Sequence, residues 1–322
     1  MSVYTPLDLA DVNSWLAGYG LPAANTLTPI KSGIENSNFF VGLGDGREFV
    51  LTLFEELNAA DAAFLGPLLA HLDRAGIPVA APLADGRGQR LGMLAGKPAQ
   101  LAPRIAGQHP LTPDAATCAT MGQALAKLHV ALRDYPLARA NSHGADWWAA
   151  VAERQHPHLD ADGQRLLDRL RQQHADTLRR HPNLPQGLIH GDLFRDNTLY
   201  DNTPDAGPAL RAVLDFSECS RDYWLLDIAI TLNDFCRQWP GDAPDAQRRD
   251  AFLAAYASVR PLTADERAAL PVFMATAAMR FWLSRLEVAS RNAEEARTGE
   301  HVLEKNPQEM RSLAAALLTS TC

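Results

Sequence analysis

Three oxygen-bearing side chains in the second half of the chain have the types and the order needed to handle a hard cation and a reacting hydroxyl. Asp192 and Asn197 stand five residues apart in "HGDLFRDN", and Asp215 follows in "VLDFSE". The runs "GLIHGD", "NTLYD" and "LRAVLDF" read as short strands, so the polar residues fall on the loops that join them. A hairpin turn is expected at "DNTPDAG", and two antiparallel strands would bring Asn197 and Asp215 to one end. An amide oxygen and a carboxylate there form an oxygen-only set suited to Mg²⁺, whose other positions go to water and phosphate oxygens. Asp192 is left free to accept the proton of a hydroxyl. His190, at the end of the preceding apolar strand, is assigned to holding the loop, and Asp196 to its scaffold.

The elements that must position these groups fall into two parts. Residues 1–103 read as a small, β-rich α+β unit, and 104–322 as a larger, mostly helical one. In the first part, "TPLDLADVNSWLA" has helical periodicity, with Thr5 and Pro6 as cap and first turn. The runs "NSNFFVGL" and "REFVLTLF" predict strands joined by a hairpin around Asp45 and Gly46. A helix over "DAAFLGPLLAHLDRAG" should end at Gly76, with Pro67 expected to kink or split it. "IPVAAPLA", "QRLGMLAG" and "KPAQLAPRI" are further short candidate strands. In the second part, Thr112 and Pro113 are expected to start a helix through "ALAKLH", and "DADGQRLLDRLRQQHADTLRRH" a more polar one. Beyond residue 245 the pattern is helical, with a capping box at Thr263 and Glu266.

Composition narrows the classes. An apolar content of 47% and a charged content of 21% over 322 residues suit a globular chain with a sizeable core. A net charge of −8 argues against broad nucleic-acid or anionic-membrane binding. No apolar run has the length for a bilayer span and the N-terminus carries no signal-peptide pattern, so a cytoplasmic protein is expected. Cys118, Cys219, Cys236 and Cys322 form no CxxC pair, which fits reduced thiols. Oligomeric state is not readable from the chain.

The order H-x-D-x-x-x-x-N followed by D-F resembles the catalytic segment of protein-kinase-like phosphotransferases. "HGDLFRDN", "VLDF", "ALAKLH" and "YWLLDIAITLND" look like the aminoglycoside phosphotransferase and choline kinase superfamily. The resemblance implies an α+β, two-lobed protein-kinase-like fold, with 1–103 as the nucleotide-binding lobe and 104–322 as the catalytic and substrate-binding lobe. It implies ATP and Mg²⁺ as cofactors, Asp192 as base, and Asn197 with Asp215 as metal ligands. It makes His129 structural and gives Asp227 the role of supporting the loop from behind. Five ordered segments, "SGIENSNFFV", "FVLTLFE", "HGDLFRDN", "LDIAITLNDFC" and "RFWLSRLE", further resemble the homoserine kinases of this fold. That likeness implies phosphorylation of a small amino-acid substrate, L-homoserine, in threonine biosynthesis.

Two ends of such a site can be sought in the sequence. For the phosphates, Gly33 permits close backbone approach, and Asn36, Ser37 and Asn38 offer donors. Related kinases carry a cation on the next strand, where this chain has Thr52; either Lys31 or Lys97 replaces it, or the backbone and metal suffice. For the acceptor, Arg280 is the candidate clamp for a carboxylate, with Ser284 four residues on along the same helical face. A choline kinase would instead need an aromatic cage, which Trp147, Trp148, Trp224 and Trp282 keep open as a reading. An aminoglycoside kinase would need a denser acidic cluster than "EVASRNAEEARTGE". A non-catalytic nucleotide-binding module is the remaining alternative, motivated by the missing strand lysine.

Overall fold

The computed structural model describes residues 5–30, 36–201, 207–239, 243–294 and 305–319. The chain divides into two compact units: Met1–Gly107 with Arg211–Ser217, and Gln108–Leu210 with Glu218–Cys322. The division falls four residues beyond the boundary expected from the sequence, and a short return segment joins the first unit. Val213 anchors that segment, donating its N–H to Pro78 at 2.8 Å and forming a parallel bridge with Val79.

The first unit is built on an antiparallel sheet. Strands β1 (Ala24–Pro29), β2 (Asn36–Leu43), β3 (Glu48–Phe54), β4 (Gly92–Leu94) and β5 (Lys97–Pro103) are ordered β1-β2-β3-β5-β4. Strict alternation along β2 sends Ser37, Phe39, Val41 and Leu43 into the core, where Leu51, Leu53 and Leu101 meet them. Helix α1 (Leu9–Leu16) covers this face with Val12 and Leu16. Its cap is Asp8 rather than Thr5, because the Asp8 carboxylate reaches the Asp11 N–H at 2.8 Å while the Thr5 hydroxyl donates to Glu55. Helix α2 (Ala59–Arg74) runs unbroken through Pro67. The preceding residue is Gly66, whose missing Cβ removes part of the clash that usually ends a helix before proline. "IPVAAPLA" contributes the single bridge at Val79 instead of a strand.

The second unit is helical around a small strand cluster. Helix α3 (Ala115–Leu132) is capped by Asp114, whose carboxylate accepts from the Thr117 N–H at 2.8 Å, two residues past the expected start. It packs so closely on α7 (Ala246–Val259) that a Cβ at Gly122 would lie 2.2 Å from the Phe252 carbonyl oxygen. Helices α4 (Ala145–Gln155), α5 (Ala161–Arg180) and α9 (Pro307–Thr319) surround the long α8 (Ala264–Glu294). Thr263 and Glu266 cap α8 reciprocally at 2.9 and 3.1 Å, as the sequence pattern requires. Helix α6 (Trp224–Phe235) is buried along every residue, its polar Asp227, Thr231, Asn233 and Asp234 included.

Strands β6 (Gln186–Ile189) and β9 (Ser220–Tyr223) pair antiparallel with Ile189 opposite Ser220. Strand β7 (Thr198–Asp201) forms a two-stranded sheet with β8 (Ala209–Val213). The turn expected at 202–206 lies outside the described residues. Among the described residues no helix is long and apolar enough to cross a membrane.

Candidate active site

Strand β6 ends at Ile189, and the chain then turns through His190, Gly191 and Asp192 before a single 3₁₀ turn at Arg195–Asn197. Gly191 adopts φ 82°, and a Cβ there would sit 2.8 Å from the Glu218 carbonyl oxygen, so both backbone angle and space require glycine. Beneath the turn lies the buried carboxylate of Asp227 on α6. It accepts the N–H of His190 at 2.8 Å and that of Gly191 at 3.0 Å.

A relay of hydrogen bonds holds Asp227 from behind. His129 Nε2 lies 3.0 Å from its carboxylate, and His129 Nδ1 lies 2.7 Å from the Tyr256 hydroxyl. Arg260 Nε donates to the same hydroxyl at 2.7 Å and forms a buried ion pair with Glu266. Burial drives the His129 pKa down, so its neutral ring donates Nε2–H to Asp227 and accepts the Tyr256 O–H. Burial alone would raise the pKa of Asp227, but the bonds from His129 and the Gly191 N–H hold it below the usual carboxylate range. The relay is complete in hydrogen-bond terms, which is why so many polar groups tolerate a buried position.

On the open side of the turn, Asn197 Nδ2 donates to the Asp192 backbone carbonyl at 2.8 Å and to its carboxylate at 3.1 Å. With the amide nitrogen committed, the amide oxygen points away from Asp192. His190 is fully buried, and its Nδ1 accepts the Asp192 N–H at 3.3 Å. The structure therefore groups Asp192, Asn197, His190 and Asp227 in one loop assembly.

Arg280 forms a second cluster in the same unit with Glu218 and His143, two residues that sequence reasoning did not single out. Glu218 Oε2 lies 2.8 Å from Arg280 Nη2 and 2.6 Å from His143 Nδ1. Burial pushes the Glu218 pKa up, but the His143 bond and the Arg280 charge outweigh it and bring the carboxyl down to about 2. Beside it, Asn141 Nδ2 donates to Asp222 at 2.6 Å. The sequence offered one signal for Glu218, its place three residues after Asp215.

The first unit carries the remaining expected groups. Asp215 is exposed and sits in the left-handed region at φ 53°, with one carboxylate oxygen accepting from the Ser217 N–H and hydroxyl at 3.1 and 2.6 Å. Such a conformation is tolerated by Asp and is concentrated at functional sites. Strand alternation separates the expected phosphate donors. Asn36 and Asn38 share a face with Thr52, whose hydroxyl donates to Asn38 at 2.7 Å. Ser37 points into the core, and its hydroxyl donates to Glu55 at 2.5 Å, so it is not an exposed donor. Lys97 pairs with the other Glu55 oxygen at 2.8 Å. Lys31 and Gly33 lie outside the described residues.

Trp148, Trp224 and Trp282 are 5%, 6% and 1% exposed, and Trp147 packs edge-on to His143. Trp148, Trp224 and Trp282 fill the interior and Trp147 is half-buried, so the four do not form an open cage.

A carboxylate and an amide bonded on one loop, on a β-rich plus helical two-lobed scaffold, match the order of groups in a kinase-like phosphotransferase. Residues 26–262 match the phosphotransferase enzyme family, and the chain belongs to that family. It is 42% identical over 288 residues to a homoserine kinase of Methylobacillus flagellatus, covering 89% of this chain and 87% of that protein. It is 40% identical over 291 residues to a homoserine kinase of Burkholderia mallei, covering 89% and 88%. Among solved structures, an amicoumacin kinase in complex with AMP-PNP, Ca²⁺ and Ami matches with a TM-score of 0.69 at 16% identity, covering 98% of this chain and 94% of the other. A microcompartment-associated aminopropanol kinase matches with a TM-score of 0.69 at 19% identity, covering 97% and 95%. These likenesses establish the protein-kinase-like fold.

Proposed function

We propose that this enzyme transfers the γ-phosphoryl group of ATP to the hydroxyl of L-homoserine, giving O-phospho-L-homoserine and ADP. The observation that carries the acceptor is the likeness to homoserine kinases at 40–42% identity over nine-tenths of the chain. The acceptor hydroxyl attacks the γ-phosphorus, the bond to the β–γ bridging oxygen breaks, and Asp192 takes the hydroxyl proton. Asn197 and Asp215 are our candidates to hold Mg²⁺, since an amide oxygen and a carboxylate are a donor set that suits a hard cation. It would neutralise charge on the ATP phosphates.

Asn36, Asn38 and Lys97 are our candidates on the phosphate side, with Lys31 and Gly33 alongside them in the chain. Arg280 is our candidate for the acceptor's carboxylate. Cys118, Cys219 and Cys236 are buried free thiols, which suits a cytoplasmic enzyme. The tryptophans buried in the helical unit speak against choline, whose quaternary ammonium calls for exposed aromatic faces.

ATP consumption assayed with Mg²⁺ and L-homoserine, choline or an aminoglycoside tests the reading. Turnover is expected with L-homoserine and not with the other two. Turnover with choline alone, or none with any acceptor despite ATP binding, would replace it.

A further inference from the structure

The side chain beside the catalytic loop with the least explained role is Glu218. The register of β6 and β9, extended past Ile189 opposite Ser220, sets Glu218 opposite Gly191, the residue that precedes Asp192. A Cβ on Gly191 would indeed lie 3.3 Å from the Glu218 Cβ. The Glu218 side chain is 16% exposed, so it is neither sealed in the core nor a solvated surface group.

Its two oxygens are used unequally. Oε2 receives both His143 Nδ1 and Arg280 Nη2, at 2.6 and 2.8 Å. Oε1 accepts no hydrogen bond from the described residues. The Arg280 guanidinium likewise spends one nitrogen on Glu218. It lies 4.0 Å over the Phe281 ring, which meets Phe194 edge-on at 4.7 Å, two residues after Asp192. Both charges therefore flank the loop that carries the base.

A structural ion pair this shielded is an expensive way to hold a helix, since desolvating two charges roughly cancels their attraction. Its charges do, however, complement a zwitterion. An α-amino acid presents an ammonium and a carboxylate on one carbon, and in homoserine the hydroxyl oxygen lies four bonds from the nitrogen. A purely cationic acceptor would meet repulsion from Arg280, and a purely anionic one from Glu218.

We propose that Glu218 is the specificity-determining residue for the acceptor's α-ammonium, which its Oε1 accepts, while His143 fixes the carboxylate and Arg280 faces the acceptor's carboxylate. The assignment rests on the amino-acid reading of the acceptor. Glu218 acts in binding and takes no proton from the reacting hydroxyl.

The test compares L-homoserine with 4-hydroxybutanoate, which lacks the ammonium, and 3-aminopropan-1-ol, which lacks the carboxylate, in the full-length enzyme and in Glu218→Gln. In the wild type, KM for 4-hydroxybutanoate should exceed that for L-homoserine by about 10- to 100-fold, the loss of one charge-assisted hydrogen bond. In Glu218→Gln, KM for L-homoserine should rise by a similar factor with kcat and KM for ATP nearly unchanged, and the gap to 4-hydroxybutanoate should close. The penalty for 3-aminopropan-1-ol relative to L-homoserine, which reports on Arg280, should persist.

An unchanged gap in Glu218→Gln overturns the assignment. So do equal KM values for L-homoserine and 4-hydroxybutanoate in the wild type, a result that needs no variant to fold. If the wild type uses L-homoserine and either result appears, the assignment alone falls. If the wild type ignores L-homoserine but phosphorylates another alcohol, the acceptor reading falls with it.

Discussion

Asn197 donates to both the carbonyl and the carboxylate of Asp192, so one amide fixes the orientation of the proposed base. The sequence placed the two near each other, five residues apart on a loop between short strands, but not the bonds between them. Glu218 was not legible in the same way. Its partners His143 and Arg280 are 75 and 62 residues distant, and only the folded chain brings them to one oxygen. Ser37 shows the opposite failure: "NSN" reads as three adjacent donors until the two-residue period of the strand turns the middle one inward. At this scale the decisive substitution is Asp192→Asn, which keeps the shape and removes the proton acceptor. Turnover should fall by about 10²- to 10⁴-fold, the usual worth of a general base, while binding of a non-hydrolysable ATP analogue persists. Near-wild-type turnover in that variant would remove Asp192 as base.

The elements follow the hydrophobic patterns closely and the caps less so. Asp8 and Asp114 start helices that Thr5 and Thr112 were expected to start. Several cap-competent residues precede each helix, and the one whose side chain reaches the N–H three positions on is the one that wins. Strand β9 escaped notice because "SRDY" is short and polar; its pairing with β6, not its composition, makes it a strand. Helix α6 shows how an element serves the site. Its apolar residues sink it into the core, and that burial lets Asp227 hold two loop N–H groups without competition from water. Replacing Asp227 with Ala would orphan both N–H groups and the His129 donor. A loss of about 3–5 kcal/mol is expected, read from urea unfolding by tryptophan fluorescence. Asp227→Asn, which keeps an acceptor oxygen, should lose less. Equal stability of Asp227→Ala and wild type would show that the loop does not depend on this carboxylate.

For the whole molecule, the sequence disclosed a β-rich and a helical part, yet not the return of Arg211–Ser217 to the first unit, in which Val213 bridges Val79. Nor did it disclose which histidines the fold would bury, and those set the molecule's response to acid. His174 on α5 lies between the Trp148 and Phe273 rings, its Nδ1 3.2 Å from the Thr276 hydroxyl on α8. Burial lowers its pKa from 6.5 to about 4, and burial lowers that of His129 as well. Both histidines take up protons more readily once unfolded, so stability is full above about pH 6.5 and drains as pH falls towards 4. The His174 share is of order 3 kcal/mol at the bottom of that window. Glu218, held at about 2, adds its loss only below its ordinary 4.5. Asp222 and Asp234, whose pKa values burial raises, act in the opposite sense in acid by binding protons more tightly when folded. The net expectation is a urea midpoint that is flat above pH 7, falls from about pH 6.5 to 4, and falls less in His174→Gln. Tryptophan fluorescence is the suitable probe, since Trp148, Trp224 and Trp282 are buried in the helical unit. A His174→Gln profile that parallels the wild type through the whole window would show that this histidine does not govern the acid response.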